Sequence, residues 1–373
     1  MRENKYCAIL NLSGVTDYLT PLTNHRPVAS LPFAGRYRII DFMLSSMSHA
    51  NVESAAIFID GSGRSIYDHV RSGKEWDFDS SIKGGLFTFS QQVWKRFEYI
   101  HQERTDDFYI DHREFLKKSE EEYVVVVGGE IIQTVDIEAI LKHHKAKEAD
   151  ITVTYKAGNY SRLDKMEIDE QGYVISLNGN HKDVSLTEVY FLKVDLVNEL
   201  LDKACATHFY ENLSHVIKEF MFDYKVSAFE YTGFMEPITT IQDYFDVSMK
   251  LLELDHFNAL FNGSIPIITK SQSGAPTYYS KDVVVRNAQI ATNALIEGDV
   301  ENSLLFRKVI VKPGSDIKNS VVMSGCTIGE NAKLNYVILD KGVTVDPDVT
   351  LSGTHDNVLV IPKNTRVTLG YES

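Results

Sequence analysis

The chain has 373 residues, 43% hydrophobic and 11% aromatic, the composition of a folded protein too long for one ordinary core. Its formal net charge of −14 argues against nucleic acid or an anionic membrane as the main partner, and no apolar run approaches the ~20 residues of a membrane helix. Three cysteines without metal-ligand spacing (Cys7, Cys205, Cys326), and a start that runs straight into a strand, suggest reduced thiols in a cytoplasmic protein.

Tyr6 to Leu12 reads as a short buried strand, followed by a Gly- and Thr-containing loop from Ser13. Ile40 to His49 has helical spacing, with Ile40, Met43, Leu44 and Met47 on one face. Ala55 to Ile59 is a second strand. Tyr123 to Val127 is the strongest strand in the chain, apolar on both faces. Ile137 to Lys147 reads as a helix and Ile151 to Tyr155 as a strand. Strands alternating with helices imply a Rossmann-like α/β domain with a mainly parallel sheet. Ligands of such sheets sit beyond the carboxyl ends of the strands, which directs attention to the loops after Leu12 and Val127. The stretch from Gly73 to Leu116 has no clean period and is expected to be an irregular insertion over the sheet edge. Its aromatics (Trp76, Phe78, Phe87, Phe89, Trp94, Phe97) are expected to pack rather than to stack on a ligand.

The pattern changes near Ala288. Short aliphatic hits recur with a period of 17: Ala294, Val311, Ile328 and Val345 form one column and Val300, Ile317, Leu334 and Leu351 a second. Leu304, Val321 and Ile338 form a third, and Val309, Cys326 and Val343 a fourth. Three aliphatic positions per turn describe a triangular coil, a left-handed β-helix of hexapeptide type, in which each turn buries its side chains on the next. The expected boundaries are an α/β domain over 1–260, a linker over 261–287 containing Gly263, Pro266, Gly274 and Pro276, and the β-helix over 288–373.

Two segments are specific enough to carry a resemblance. One runs from Leu19 through Thr-Pro-Leu22-Thr23-Asn-His-Arg26-Pro-Val28 to Gly35-Arg36-Tyr37-Arg38-Ile39-Ile40-Asp41-Phe42; the other is the valine strand ending Gly128-Gly129-Glu130. With the C-terminal coils they resemble the ADP-glucose pyrophosphorylase (glucose-1-phosphate adenylyltransferase) family over nearly the whole chain. In that family glucose 1-phosphate attacks the α-phosphorus of ATP and pyrophosphate leaves. The resemblance therefore implies a need for a glycine-rich phosphate loop, cations on the phosphates and aspartates holding Mg2+.

Several of these positions depart from the family. The phosphate loop reads Ser13-Gly14-Val15-Thr16-Asp17-Tyr18-Leu19, so the phosphate arginine falls on Tyr18, a glycine falls on Thr16, and Asp17 adds a negative charge. The family's lysine falls on Val28, and its first metal aspartate on Glu130, one methylene longer. The second metal aspartate falls on or near Pro237, and the sugar-phosphate motif is absent, with Lys182 a conceivable substitute. No intact catalytic set is expected; Ser13, Gly14, Thr16, Gly128 and Gly129 are read as a remnant of the nucleotide loop, with Glu130 the one metal ligand left. The pattern resembles the D-type, non-catalytic branch of the family in Gram-positive bacteria. That resemblance implies a regulatory subunit, needing no cofactor of its own, in a hetero-oligomer (a tetramer) with a Mg2+-dependent catalytic subunit. Arg36 matches a basic residue of the family's activator site, so Arg36 and Arg38 are the expected site for an anionic effector such as a phosphorylated sugar. An active adenylyltransferase using Glu130, and a sugar-phosphate sensor without a partner enzyme, are the alternatives. His143-His144 is read as a helical pair on different faces rather than a metal site.

Overall fold

The computed structural model describes residues 6–12, 17–78, 84–91, 97–100, 107–160, 162–179 and 184–371. Ser13, Gly14, Thr16, Trp94 and Lys182 lie outside the described residues. The chain divides into two compact units, one made of 1–15, 40–237 and 264–268, the other of 16–39, 238–263 and 269–373. The division differs from the sequence boundaries. The segments 16–39 and 238–263 belong with the β-helix, because their anchors are there: Arg26 pairs with Asp340, the Tyr244 hydroxyl donates to the Pro32 carbonyl, and Gln242 donates to the His355 carbonyl.

The first unit is built on a seven-stranded sheet. Its strands are β1 (Tyr6–Leu12), β2 (Ser54–Asp60), β3 (Gly85–Gln91), β4 (Tyr123–Gly128), β5 (Ile151–Ala157), β6 (Val184–Lys193) and β7 (Val226–Glu230), in the order β7-β5-β6-β4-β1-β2-β3. All neighbouring pairs are parallel except those of β6, which runs antiparallel to β4 and β5. The four valines of β4 are fully buried, each worth ~1.5–3 kcal/mol of transfer free energy, which is why this strand can sit at the centre. Helix α1 (Ile40–His49) buries eight of its residues, and α2 (Ile137–Lys147) opens on an Asp136 cap whose carboxylate accepts from the Ala139 N–H. The expected irregular insertion is more regular than its sequence. It supplies the edge strand β3 and a helix, Ile110–Ser119, and it buries Trp76 and Phe78 while Phe87 and Phe97 remain exposed. Aromatic side chains from one face of β3 pack downward, with Phe89 stacked on Phe58, so the absence of a clean period reflected a half-covered edge.

The second unit contains the β-helix. Val311, Ile328 and Val345 are in register and buried, as are Val300, Ile317, Leu334 and Leu351 in the next column. One member was misplaced by the fixed period. Ile296, not Ala294, lies beside Val311, because the first full coil is shorter than those after it; Ala294 lies beside Val309 instead. The coils also begin inside the expected linker, since Tyr278–Tyr279 pairs with Leu295–Ile296 and Val285–Ile290 with the strand at 299–305. Most corners turn through the left-handed region. One corner uses Asn293, Lys308, Gly325, Gly342 and Asn364, a second Asn287, Asn302, Asn319 and Tyr336, and a third Gly314, Asn331, Asp348 and Gly370. Asn and Gly tolerate that conformation at least cost, which explains the punctuation between the aliphatic hits.

Candidate functional site

The carboxyl end of the β1–β4 pair is where the sheet directs a ligand. Asn11, the penultimate residue of β1, is in register with Gly128 at the end of β4. A Cβ at Gly128 would lie only 3.1 Å from the Cβ of Glu188, so glycine is what lets β6 approach here. Beyond Gly129 the chain reaches Glu130 and a short strand, Ile131–Gln133, that pairs antiparallel with Met235–Pro237; Pro237 lies opposite Ile131. Glu130 and Pro237 are thus brought to neighbouring strand ends, and Pro237 offers no side-chain ligand. Burial, with help from Glu188 and against the pull of Lys218, pushes the Glu130 carboxyl up to about 7.

Three residues not singled out from sequence fill the surroundings. Glu188 sits in β6 at φ 55, within the register shift between Leu186 and Tyr190. A glutamate there costs ~1–2 kcal/mol of backbone strain. Its carboxylate accepts from the Tyr190 hydroxyl at 2.9 Å and from the Lys218 ammonium at 3.1 Å. Lys218 also reaches Asp164 at 3.0 Å, and the Asn178 amide donates to the other Asp164 oxygen. Burial would lower the Lys218 amine, but Glu188 and Asp164 hold it above its ordinary range. Asp164, which burial would raise, is instead drawn down by Lys218 and Asn178. Lys218 lies on the helix Leu213–Phe220 (α3), whose moment of apolar residues packs Leu213, Val216 and Ile217 into the core and leaves Ser214 and Lys218, one turn apart, facing the strand ends. The Asn11 amide donates to Ser214. A lone acid inside the apolar run Ser-Leu-Thr-Glu188-Val-Tyr-Phe-Leu was the one sequence signal of this cluster.

Among the described residues no group of three or more His, Cys, Asp or Glu is arranged to hold a metal ion. The groups at these strand ends do not suit Mg2+: Glu130 is held toward its neutral form, Pro237 cannot ligate through its side chain, and the cation beside Glu188 and Asp164 is an ammonium. His144, buried and bonded to Thr152 through Nδ1, is structural.

The remaining expected positions lie in the second unit. Val28 is buried in a short 3-10 turn and Tyr18 is exposed. A two-strand hairpin, Pro32–Phe33 with Tyr37–Arg38, turns through Ala34 and Gly35, both at positive φ, and presents Arg36 outward over the Tyr37 ring. One β-helix corner carries cations at the positions before its turn residues: Arg307, Lys341 and Lys363. Burial and the charge of Arg36 both lower the Arg307 guanidinium. Lys341 is pushed down to about 7, by burial first, then by Arg38, Arg26 and Lys363, with only Asp340 opposing. Asp340 is itself engaged by Arg26 at 2.7 Å, both side chains nearly inaccessible. The hairpin thus brings Arg36 and Arg38 to a column of β-helix cations that sequence reasoning had not connected.

Residues 8–254 match the nucleotidyl transferase family, and residues 277–357 the GlmU-like C-terminal hexapeptide family, which makes the coils a left-handed β-helix. Glycogen biosynthesis protein GlgD of Geobacillus stearothermophilus is 33% identical over 365 residues, and that of Bacillus subtilis 29% over 368, each covering 97% of both chains. A glucose-1-phosphate adenylyltransferase of Bacillus cytotoxicus is 24% identical, over 96% of this chain and 99% of its own. The chain belongs to the nucleotidyl transferase family, in the group that includes the glycogen biosynthesis protein GlgD.

Proposed function

We propose that this chain serves glycogen biosynthesis as a regulatory, catalytically deficient subunit of ADP-glucose pyrophosphorylase, modulating a catalytic partner in a hetero-oligomer. The observation that carries the reading is the Glu130 pocket, where a neutral-leaning carboxyl, a proline and an internal ion pair occupy the place of metal-ligating and phosphate-binding groups. A phosphoryl-transfer site loses ~10²–10³ in rate for each such electrostatic contribution removed. The chain on its own requires no cofactor; Mg2+ serves the catalytic partner. Its apolar framework is that of a nucleotidyl transferase, and a framework without the chemistry supplies a shape, which is what subunit contacts use. Binding one state of the partner better than another then shifts that partner between active and inactive forms.

The cationic corner favours a second element of the same reading. Arg36, Arg38, Arg307, Lys341 and Lys363 suit a dianionic ligand, and a phosphorylated sugar is the effector class proposed. Kinetics on the separate and co-purified subunits, with size-exclusion chromatography, test both elements. The expected result is little ADP-glucose formed by this chain alone, a mixed oligomer (a tetramer), and an altered kcat, KM or effector response of the partner. No co-elution and identical kinetics would refute the reading, and Mg2+-dependent turnover by this chain alone would favour an active enzyme using Glu130.

A further inference from the structure

The Lys218 ammonium lies within about 3 Å of one oxygen from each of two carboxylates, at 3.0 Å from Asp164 and 3.1 Å from Glu188. That is a cation held by converging carboxylate oxygens at a strand edge. Glu188 occupies a left-handed backbone position that disfavours a glutamate, and its side chain turns to this cation and to Tyr190. A second observation points to the same place. Asn11 is 6% exposed, its amide group is spent on Ser214, and its Oδ1 has no hydrogen-bond partner. Paired residues of parallel strands face the same side of a sheet, so Asn11 shares the face on which Gly128 meets Glu188. Ser214 stands one helical turn before Lys218 on α3, so Asn11, with its unpartnered oxygen, faces the helix that carries the ion pair.

We propose that Lys218 is a built-in cation that stands where a divalent ion would otherwise bridge Asp164 and Glu188, so that this chain completes its pocket without metal. The proposal rests on the reading of the pocket as non-catalytic and adds the physical reason for it: the site is closed by its own charge. Take away the ammonium, and two carboxylates become ligands for a hydrated divalent ion, which binds through few protein oxygens and keeps several waters.

The test uses the full-length protein freed of metal, with Mn2+ as the probe, followed by electron paramagnetic resonance and by thermal unfolding. Wild type and Lys218→Arg should show no saturable Mn2+ site and no Mn2+-dependent rise in Tm. Lys218→Met should lose stability without metal, bind Mn2+ at least about tenfold more tightly than wild type, and recover Tm as Mn2+ is added. Lys218→Met combined with Glu188→Gln should fold without metal and lose the Mn2+ response. Tight Mn2+ binding by wild type would overturn the proposal. So would a Lys218→Met protein that gains no Mn2+ site or stays unfolded at every Mn2+ concentration, or a double variant that keeps the gain. ADP-glucose synthesis by wild type alone would sink the non-catalytic reading; the Mn2+ titration decides the present one separately.

Discussion

Two partly buried lysines, one in each unit, meet opposite electrostatic surroundings. Lys218 is bracketed by Asp164 and Glu188, which hold its amine above the ordinary range against burial. Lys341 feels three cations and one carboxylate, and its amine is pushed down to about 7. The first site already holds a cation of its own between its two carboxylates. The second holds an excess of positive charge in a protein of net charge −14, and an anion would relieve it. Within one chain, one lysine is enclosed by carboxylates and the other by cations.

The largest expected effect bears on the platform that holds Lys341 in place. Ile328→Asp would bury an unpaired carboxylate between Val311 and Val345 and should cost roughly 4 kcal/mol or more in urea unfolding. A cost under about 1 kcal/mol would mean that the columns are not a packed core. The comparison of the two lysines is sharpened by truncating each. Lys218→Met strands two carboxylates and should destabilise by about 3 kcal/mol, whereas Lys341→Met removes a disfavoured charge and should be neutral or stabilising. Equal losses from both would erase the contrast.

The pH dependence of the second unit should carry the same sign. The folded Lys341 amine, at about 7, lies below its ordinary value of 10.5, so between those pH values the unfolded chain binds more protons. The contribution of Lys341 to stability therefore rises with pH across that window and is at its least favourable below about 7. Inorganic phosphate should raise Tm at pH 7 more than chloride at equal ionic strength, and Lys341→Met should reduce that difference. An unchanged phosphate effect in the variant would place the anion elsewhere. The smallest effect on the fold is expected from Arg36→Ala. Arg36 is exposed, so stability should move by no more than about 0.5 kcal/mol, while affinity for a phosphorylated sugar should fall roughly tenfold in isothermal titration. Unchanged affinity and effector response would make Arg36 structural.

Legibility from sequence followed the range of the interactions. Tyr6–Leu12, Ile40–His49 and Ile137–Lys147 begin and end where their apolar spacing placed them, because burial of one face is written locally. The columns through Val300 and Val311 were visible because each coil repeats the same packing problem. The place of Ala294 was not, since a shortened coil breaks the period without changing residue type. Glu130 and Pro237 were identified by their positions along the chain, and the sheet does bring their strands together.

By itself, then, the sequence determined the two architectures and the buried faces, which depend on residue type and spacing. Only the tertiary structure decided which charges meet. Lys218 lies far along the chain from Asp164 and Glu188, and a lysine on a helix reads as solvated until a strand end is packed against it. Arg36 and Arg38 likewise meet Arg307 and Lys341, which arrive from later coils. Charge acts through space, not along the chain, so its balance at a site is fixed only when the fold has brought the partners together.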